Sequence, residues 1–161
     1  TFDDSAEVAL PFTAINDVDP EFDPLEADGM TCMGAALRLA AQHLHERRKL
    51  YRNAGISSYR PWVILMTDGG PNDDWEQSAT EMRTLGEQGN IQYLGIAIGD
   101  NADLNILNNI LPSQPGPIRL QGLRFRQFFR WLTDSLKSVS ASAVSQQDDV
   151  QFHDITDWGD L

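Results

Sequence analysis

Hard-oxygen side chains that could bind a metal ion occur at two places in the sequence. Asp68 directly follows an apolar run at residues 62–67, and two glycines and a proline then interrupt the extended pattern. Thr31 lies just before a helical pattern begins. Carboxylate and hydroxyl oxygens are suitable ligands for Mg²⁺, Mn²⁺ or Ca²⁺. Asp68 and Thr31 are therefore candidate metal ligands; the alternatives are a turn-forming aspartate and a helix N-cap.

Catalysis by Asp68 is the alternative from another functional class. A metal-dependent phosphohydrolase would need a second acid close to its aspartate nucleophile. Here two glycines follow Asp68, and Asp73 and Asp74 come only after the turn, where Asp74 is the expected N-cap of a helix starting at Trp75. No histidine lies beside a plausible nucleophile, and Cys32 has no obvious basic neighbour. We expect no enzymatic activity.

Strands and helices alternate along the chain and would bring these residues to one edge of a sheet. The run at 62–67 is apolar without alternation, which is typical of a strand buried on both faces. Further strands are predicted at 91–98 and 118–120, and helices are predicted from residues 31, 75, 104 and 125. This order predicts an α/β fold, a three-layer, doubly wound and mostly parallel sheet with flanking helices. Ligands of such sheets bind at the carboxyl ends of the strands.

The two ends of the chain have different patterns. Residues 6–12 alternate between apolar and polar side chains, which predicts a half-buried strand preceded by a hairpin turn at residues 3–5. We expect the domain to span residues 1–140. Residues 141–161 form an acidic tail in which apolar residues recur every three positions, namely Phe152, Ile155, Trp158 and Leu161.

Two roles are open for this tail. It could be a strap that packs on its own domain. It could also dock into a neighbouring subunit or partner by inserting Trp158, with Asp157 or Asp160 as a partner-binding carboxylate. The second role would allow self-association.

Composition restricts the partners. The chain has 161 residues, a formal net charge of -12 and a pI of about 4.4, a balance that repels nucleic acids. No apolar run approaches the roughly 20 residues that a membrane span requires. Cys32 is the only cysteine, so no internal disulfide can form. We therefore expect a cytoplasmic protein that binds neither nucleic acid nor a membrane.

Residues 29–37 (Gly-Met-Thr-Cys-Met-Gly-Ala-Ala-Leu) and 64–75 (Ile-Leu-Met-Thr-Asp-Gly-Gly-Pro-Asn-Asp-Asp-Trp) together resemble a von Willebrand factor A (vWA) domain. More closely, the chain resembles the bacterial TerY-like and YegL-like branch, which is linked to tellurite-resistance gene clusters. The segments at 60–62, 122–125 and 158–161 are similar to that branch as well. The resemblance extends over nearly the whole chain.

The resemblance implies a metal-ion-dependent adhesion site (MIDAS) with ligands from three loops. These are an Asp-x-Ser-x-Ser run after the first strand, a threonine in the second loop and an aspartate after the fourth strand. Thr31 matches the second loop and Asp68 the third. The Asp-x-Ser-x-Ser run is absent, and Asp3, Asp4 and Ser5 do not replace it. We therefore expect that a segment of roughly 40 residues, with the first strand and helix, is missing from this chain, and that metal affinity is low.

The resemblance also implies a function. It predicts non-catalytic, divalent-metal-assisted protein binding within a bacterial stress or tellurite-resistance module. A partner protein would donate a carboxylate to the metal, and the kinase or phosphatase of such a module is the candidate partner.

Overall fold

The computed structural model describes residues 1–19, 21, 25, 28–100, 102–122, 124–142, 155 and 157–160. The helices of this part are α1 (Met33–Asn53), α2 (Glu76–Glu87), α3 (Leu104–Ile110) and α4 (Phe125–Ala141), with a short 3-10 helix at Ile15–Asp17. The strands are β1 (Trp62–Thr67), β2 (Gln92–Ala97), β3 (Pro117–Leu120) and β4 (Gly159–Asp160).

The four strands form one sheet in the order β1-β2-β3-β4. β1 and β2 run parallel with Trp62 opposite Gln92, and β2 and β3 are also parallel. β4 pairs antiparallel with β3, with Leu120 opposite Gly159. Helices cover both faces of this mostly parallel sheet, so the predicted three-layer α/β architecture is confirmed.

One face of the sheet is covered by α1, α2 and α3. Strand residues that point to this face include Leu65 and Tyr93, and helix residues Met33, Met82 and Leu107 pack in the same core. α1 packs mainly against α2 rather than against a strand. We call this cluster the three-helix core.

The other face is covered by α4 and by the end of the chain. Leu94 and Ile96 point to this side, because side chains alternate between the faces of a strand. Trp158 packs between Phe128 and Trp131 of α4, with ring centroids 5.0 Å from each. We call this cluster the aromatic core. The indole of Trp158 is 1% exposed.

β1 lies at an edge of the described sheet, so the prediction of a strand buried on both faces was wrong for the described residues. Trp62, Val63, Ile64 and Met66 are only half-buried. The cause is the open side of β1, where no described strand pairs. A cavity of about 500 Å³ lies at the amino end of β1, next to Trp62, and it is lined by residues of α1 and of α4, the helices of opposite layers. We call it the edge cavity.

The predicted strand at residues 6–12 does not form. A bridge between Phe2 and Ala6 closes the predicted turn, but the following residues are irregular and Phe12 is 58% exposed. An alternating segment becomes a strand only where a neighbouring strand can pair with it, and none of the described strands lies beside this one. Instead, Arg47 of α1 donates a hydrogen bond to the Phe12 carbonyl at 3.0 Å and stacks over its ring at 4.6 Å.

Within the part of the chain that the structure describes, no helix has the length and apolar character needed to cross a membrane.

Candidate metal site at the carboxyl end of β1

The carboxylate of Asp68 is exposed at the carboxyl end of β1 and makes no hydrogen bond or ion pair with any described residue. The turn after the strand is closed by the preceding residue, Thr67, instead. The Thr67 hydroxyl donates to the Gly69 carbonyl at 3.0 Å and accepts from the Gly69 N–H at 3.3 Å. The turn-forming alternative for Asp68 is therefore not observed, and both of its oxygens are available to a ligand.

Thr31 lies in the adjacent loop, before α1. Its hydroxyl Oγ1 is 3.7 Å from the position that a Cβ on Gly69 would take, so the Thr31 and Asp68 loops meet at the carboxyl edge of the sheet. The N-cap position of α1 is Cys32, without a side-chain cap, and the Thr31 hydroxyl has no hydrogen bond among the described residues. The N-cap alternative for Thr31 is therefore also not observed.

Asn72 and Asp73 hold the two loops together, a role that the sequence analysis missed. The Asn72 N–H donates to the Thr31 carbonyl at 3.1 Å, and the Asn72 side chain accepts from the Thr31 N–H at 3.2 Å. Both carboxylate oxygens of Asp73 accept from backbone N–H groups of Gly34 and Ala35, each at 2.8 Å. Asp73 thus caps the start of α1 from another loop. In the sequence, the run of short polar residues after the turn is the feature that could have indicated this role.

The close contact between α1 and the Asp73 loop requires glycine at position 34. A Cβ there would meet the backbone carbonyl of Asp74. That carbonyl also accepts a hydrogen bond from Arg38 at 2.9 Å. The prediction that Asp74 caps α2 was wrong, because the N-cap position is Trp75 and no side chain caps it.

The surroundings of Cys32 show the charge of this edge. Partial desolvation, then the carboxylates of Asp73, Asp4 and Asp3, raise the pKa of the Cys32 thiol, against a smaller opposing effect of Arg38. A thiol with a raised pKa is a poor nucleophile at neutral pH. The same negative field favours a cation over an anion at this edge.

Asp3 and Asp4 are engaged in local structure. Asp3 accepts from the Ser5 N–H at 3.0 Å, and Asp4 accepts from the Met30 N–H at 2.9 Å. That the acidic turn does not replace the Asp-x-Ser-x-Ser run stays a prediction.

The described residues do not form a complete metal site. Mg²⁺ takes about six oxygen ligands in octahedral geometry, several of them water. Thr31 and Asp68 supply one neutral and one charged oxygen ligand. Among the described residues no group of three or more His, Cys, Asp or Glu side chains could hold a metal ion. The donor types suit a hard divalent cation, and two protein ligands leave most of its coordination positions to other groups.

The structure places the tail residues away from β1. β4 lies at the opposite edge of the sheet, where the backbone of Asp160 pairs with Arg119. Arg124 donates to the Asp157 carbonyl at 2.8 Å, and the Gln121 N–H donates to the Trp158 carbonyl at 2.8 Å. The described tail residues therefore pack on their own domain as a strap, which is one of the two roles that the sequence left open. A partner could bind Trp158 only after the strap had detached. The rest of the tail lies outside the described residues, as does the Asp160 side chain.

A profile of the von Willebrand factor type A domain matches residues 2–127 of the chain. The chain therefore belongs to the von Willebrand factor type A family, whose domains are commonly protein-interaction domains. A comparison with curated protein sequences gave no match.

Proposed function

We propose that this domain binds a partner protein through a divalent cation and catalyses no reaction. The proposal rests on one observation: Thr31 and Asp68 offer oxygen ligands that are free of hydrogen bonds to described residues, on adjacent loops at the carboxyl edge of the sheet. A structural aspartate and threonine would be engaged in caps or turns. Here Asp73 and Thr67 carry out those structural roles.

A partner carboxylate would complete the binding site. Mg²⁺ is the first candidate cation, with Mn²⁺ or Ca²⁺ as alternatives, and when bound it would supply a positive charge that attracts a partner's Asp or Glu. The resemblance to the TerY-like and YegL-like branch supports a cytoplasmic role in a stress or tellurite-resistance module. The kinase or phosphatase of that module is the proposed partner.

We further propose that a missing strand occupies the edge cavity and carries the first metal-binding loop. The Pro61 carbonyl accepts a hydrogen bond from Gln92 of β2, and the Thr67 carbonyl accepts one from Ile98, directly after β2. Because N–H and C=O groups alternate in direction along a parallel strand, those of Ile64 and Met66 point to the open side of β1. At the amino end of β1, next to Trp62, residues of α1 and α4 line one cavity, as expected if a strand normally separates the two layers.

A strand in this position would end beside Asp68, at the same carboxyl edge. A segment of roughly 40 residues bearing Asp-x-Ser-x-Ser would supply such a strand and a helix. It could precede Thr1 or come from another chain. Thermal melts of the chain with and without its native upstream sequence test this. The extended chain should unfold at a higher temperature, and an unchanged or lower midpoint would contradict the missing strand.

Mn²⁺ binding, measured by electron paramagnetic resonance, tests the metal site. The chain with its upstream segment should bind Mn²⁺ at least about tenfold more tightly than residues 1–161 alone. Asp68→Ala and Thr31→Ala should each lower that affinity. Asp100→Ala is the matched control, because Asp100 is an exposed carboxylate at the end of β2. Equal loss in the control variant would contradict the site.

Partner binding distinguishes adhesion from metal binding alone. Pull-down of the kinase or phosphatase encoded beside this protein should be lost with EDTA and with Asp68→Ala. Binding that survives both treatments would contradict the mechanism. Hydrolysis of p-nitrophenyl phosphate with Mg²⁺, abolished by Asp68→Ala, would instead support the phosphohydrolase alternative.

A further inference from the structure

The amino ends of the strands carry a second cavity, far from Asp68. Its volume is about 520 Å³, and it lies between α1 and α2, in front of the amino ends of β1 and β2. Six-residue strands span about 20 Å, and this length separates the cavity from the carboxyl edge. We call it the amino-end cavity. It borders the edge cavity, with which it shares Leu44 and Arg48, and an inference about it does not use the Thr31 and Asp68 site.

The wall formed by α1 is basic, although the chain is acidic overall. Arg48 and Arg52 line the cavity one helical turn apart, and His45 lies on the same wall. Neither arginine has an acidic partner or a hydrogen bond among the described residues. Unpaired guanidinium groups that share a cavity are suited to bind carboxylates, because their planar forks match that geometry.

The opposite wall carries one acid. Glu81 of α2 lines the same cavity and forms no ion pair with a described residue. The two arginines therefore face the glutamate across open space instead of bonding to it. Removal of the Glu81 charge would raise the positive potential of the cavity.

The floor of the cavity is apolar. Leu44 and Leu85 are half-buried and Ile91 is buried, and all three line it. Ligand pockets in proteins have volumes of about 300–1,000 Å³, and this cavity lies in that range. A ligand with an aliphatic side chain between carboxylates would place apolar atoms on this floor and charges on the arginines.

We propose that the amino-end cavity binds an acidic peptide segment of a partner protein, with carboxylates on Arg48 and Arg52 and an aliphatic side chain on the apolar floor. Charge favours a short acidic segment over a nucleic acid. A long polyanion would experience the net charge of -12. A short segment is influenced mainly by charges within about 10 Å, the screening length at 0.1 M salt.

Fluorescence anisotropy with a labelled peptide, in which glutamates flank a central leucine, tests the proposal. Wild-type protein should bind it saturably, and Arg48→Ala with Arg52→Ala should weaken binding at least about fivefold. Arg126→Ala with Arg130→Ala is the matched control, because it removes the same charge from exposed positions on α4. Glu81→Gln should strengthen binding about twofold.

Four outcomes would overturn the proposal. The two double variants could weaken binding equally, which would indicate a general charge effect. A peptide with glutamines in place of the glutamates could bind as tightly, which would exclude recognition of carboxylates. An oligothymidylate could bind more tightly than the acidic peptide, which would point to nucleic acid instead. Absence of binding at millimolar peptide would also overturn it.

Discussion

The two faces of the sheet reach similar burial by different means. Three helices cover one face, and their core is built mainly of aliphatic side chains, methionines and Tyr93. Of the described helices, α4 alone covers the other face, and Trp158 fills the space beside it. A single helix cannot cover a parallel sheet of this width, so the strap completes the aromatic core. The three-helix core instead depends on the contacts that hold the first turn of α1 in place.

Among the substitutions that test this comparison, Trp158→Ala should have the largest effect on stability. Removal of a fully buried indole from the aromatic core should lower the free energy of unfolding by about 3–5 kcal/mol. Urea denaturation followed by far-UV circular dichroism measures it. Phe129→Ala is the control, since that ring is 52% exposed and should cost about 1 kcal/mol or less. Equal stability of the two variants would mean that the strap does not complete the core.

An intermediate loss of stability is expected when the contact between Asp73 and the first turn of α1 is removed. Asp73→Ala removes two charge-assisted hydrogen bonds to the first turn of α1 and should cost about 2–3 kcal/mol. The ion pair of Asp73 with Arg38, 3.8 Å apart, adds little because Arg38 is exposed. Hydrogen exchange of the Gly34 and Ala35 amides should accelerate in the variant.

Asp134→Ala is the control for that experiment. It breaks an exposed pair with Lys137, 3.8 Å apart, and should change stability by about 0.5 kcal/mol or less. If Asp73→Ala has an equally small effect, α1 does not depend on the Asp73 loop for its position.

The smallest effect concerns a polar atom inside the three-helix core. The Tyr93 hydroxyl is buried without a hydrogen-bond partner among the described residues. Tyr93→Phe should therefore stabilise the protein by about 1 kcal/mol at neutral pH. A destabilised variant would mean that this hydroxyl contributes to the core.

The pH dependence of stability tests Tyr93 independently. Burial raises the pKa of the Tyr93 phenol well above the ordinary value of 10.0. The folded protein favours the protonated phenol of Tyr93 over the ionised phenol. This preference contributes in full to stability below pH 10, and its contribution is lost as the pH rises above 10, because the unfolded chain then releases the phenol proton and the folded chain does not. Wild-type stability should fall by about 1.4 kcal/mol per pH unit above pH 10 from this residue. Tyr93→Phe should lack that part of the decrease.

The sequence predicted the helices and parallel strands well because each has its own periodicity. Residues 62–67, 91–98 and 118–120 were recognised as strands from apolar runs, and the structure contains β1, β2 and β3 there. The alternation at residues 6–12 was misleading, because a strand also needs a neighbour. The position of β1 at the edge depends on pairing between distant segments, which no local pattern encodes.

The candidate site was predicted in part. Thr31 and Asp68 follow from residue type and position after a loop or strand, and the structure brings their loops together. The roles of Asn72 and Asp73 depend on backbone groups 38 to 41 residues away in sequence. Such contacts appear only when the chain is folded. Likewise, Trp158 had two open roles in the sequence, because a short aromatic segment fits a core or a partner equally well.

The cap that Asp73 places on α1 has a mechanical consequence. α1 has 21 residues and is therefore about 31 Å long. Its first turn is bonded to the loop that follows Asp68, and its last turns carry Arg48 and Arg52. α1 also packs against α2, so a tilt of about 5° that starts at the Asp73 loop would displace Arg52 by roughly 3 Å only together with a movement of α2. The helix thus connects the loop after Asp68 with the amino-end cavity.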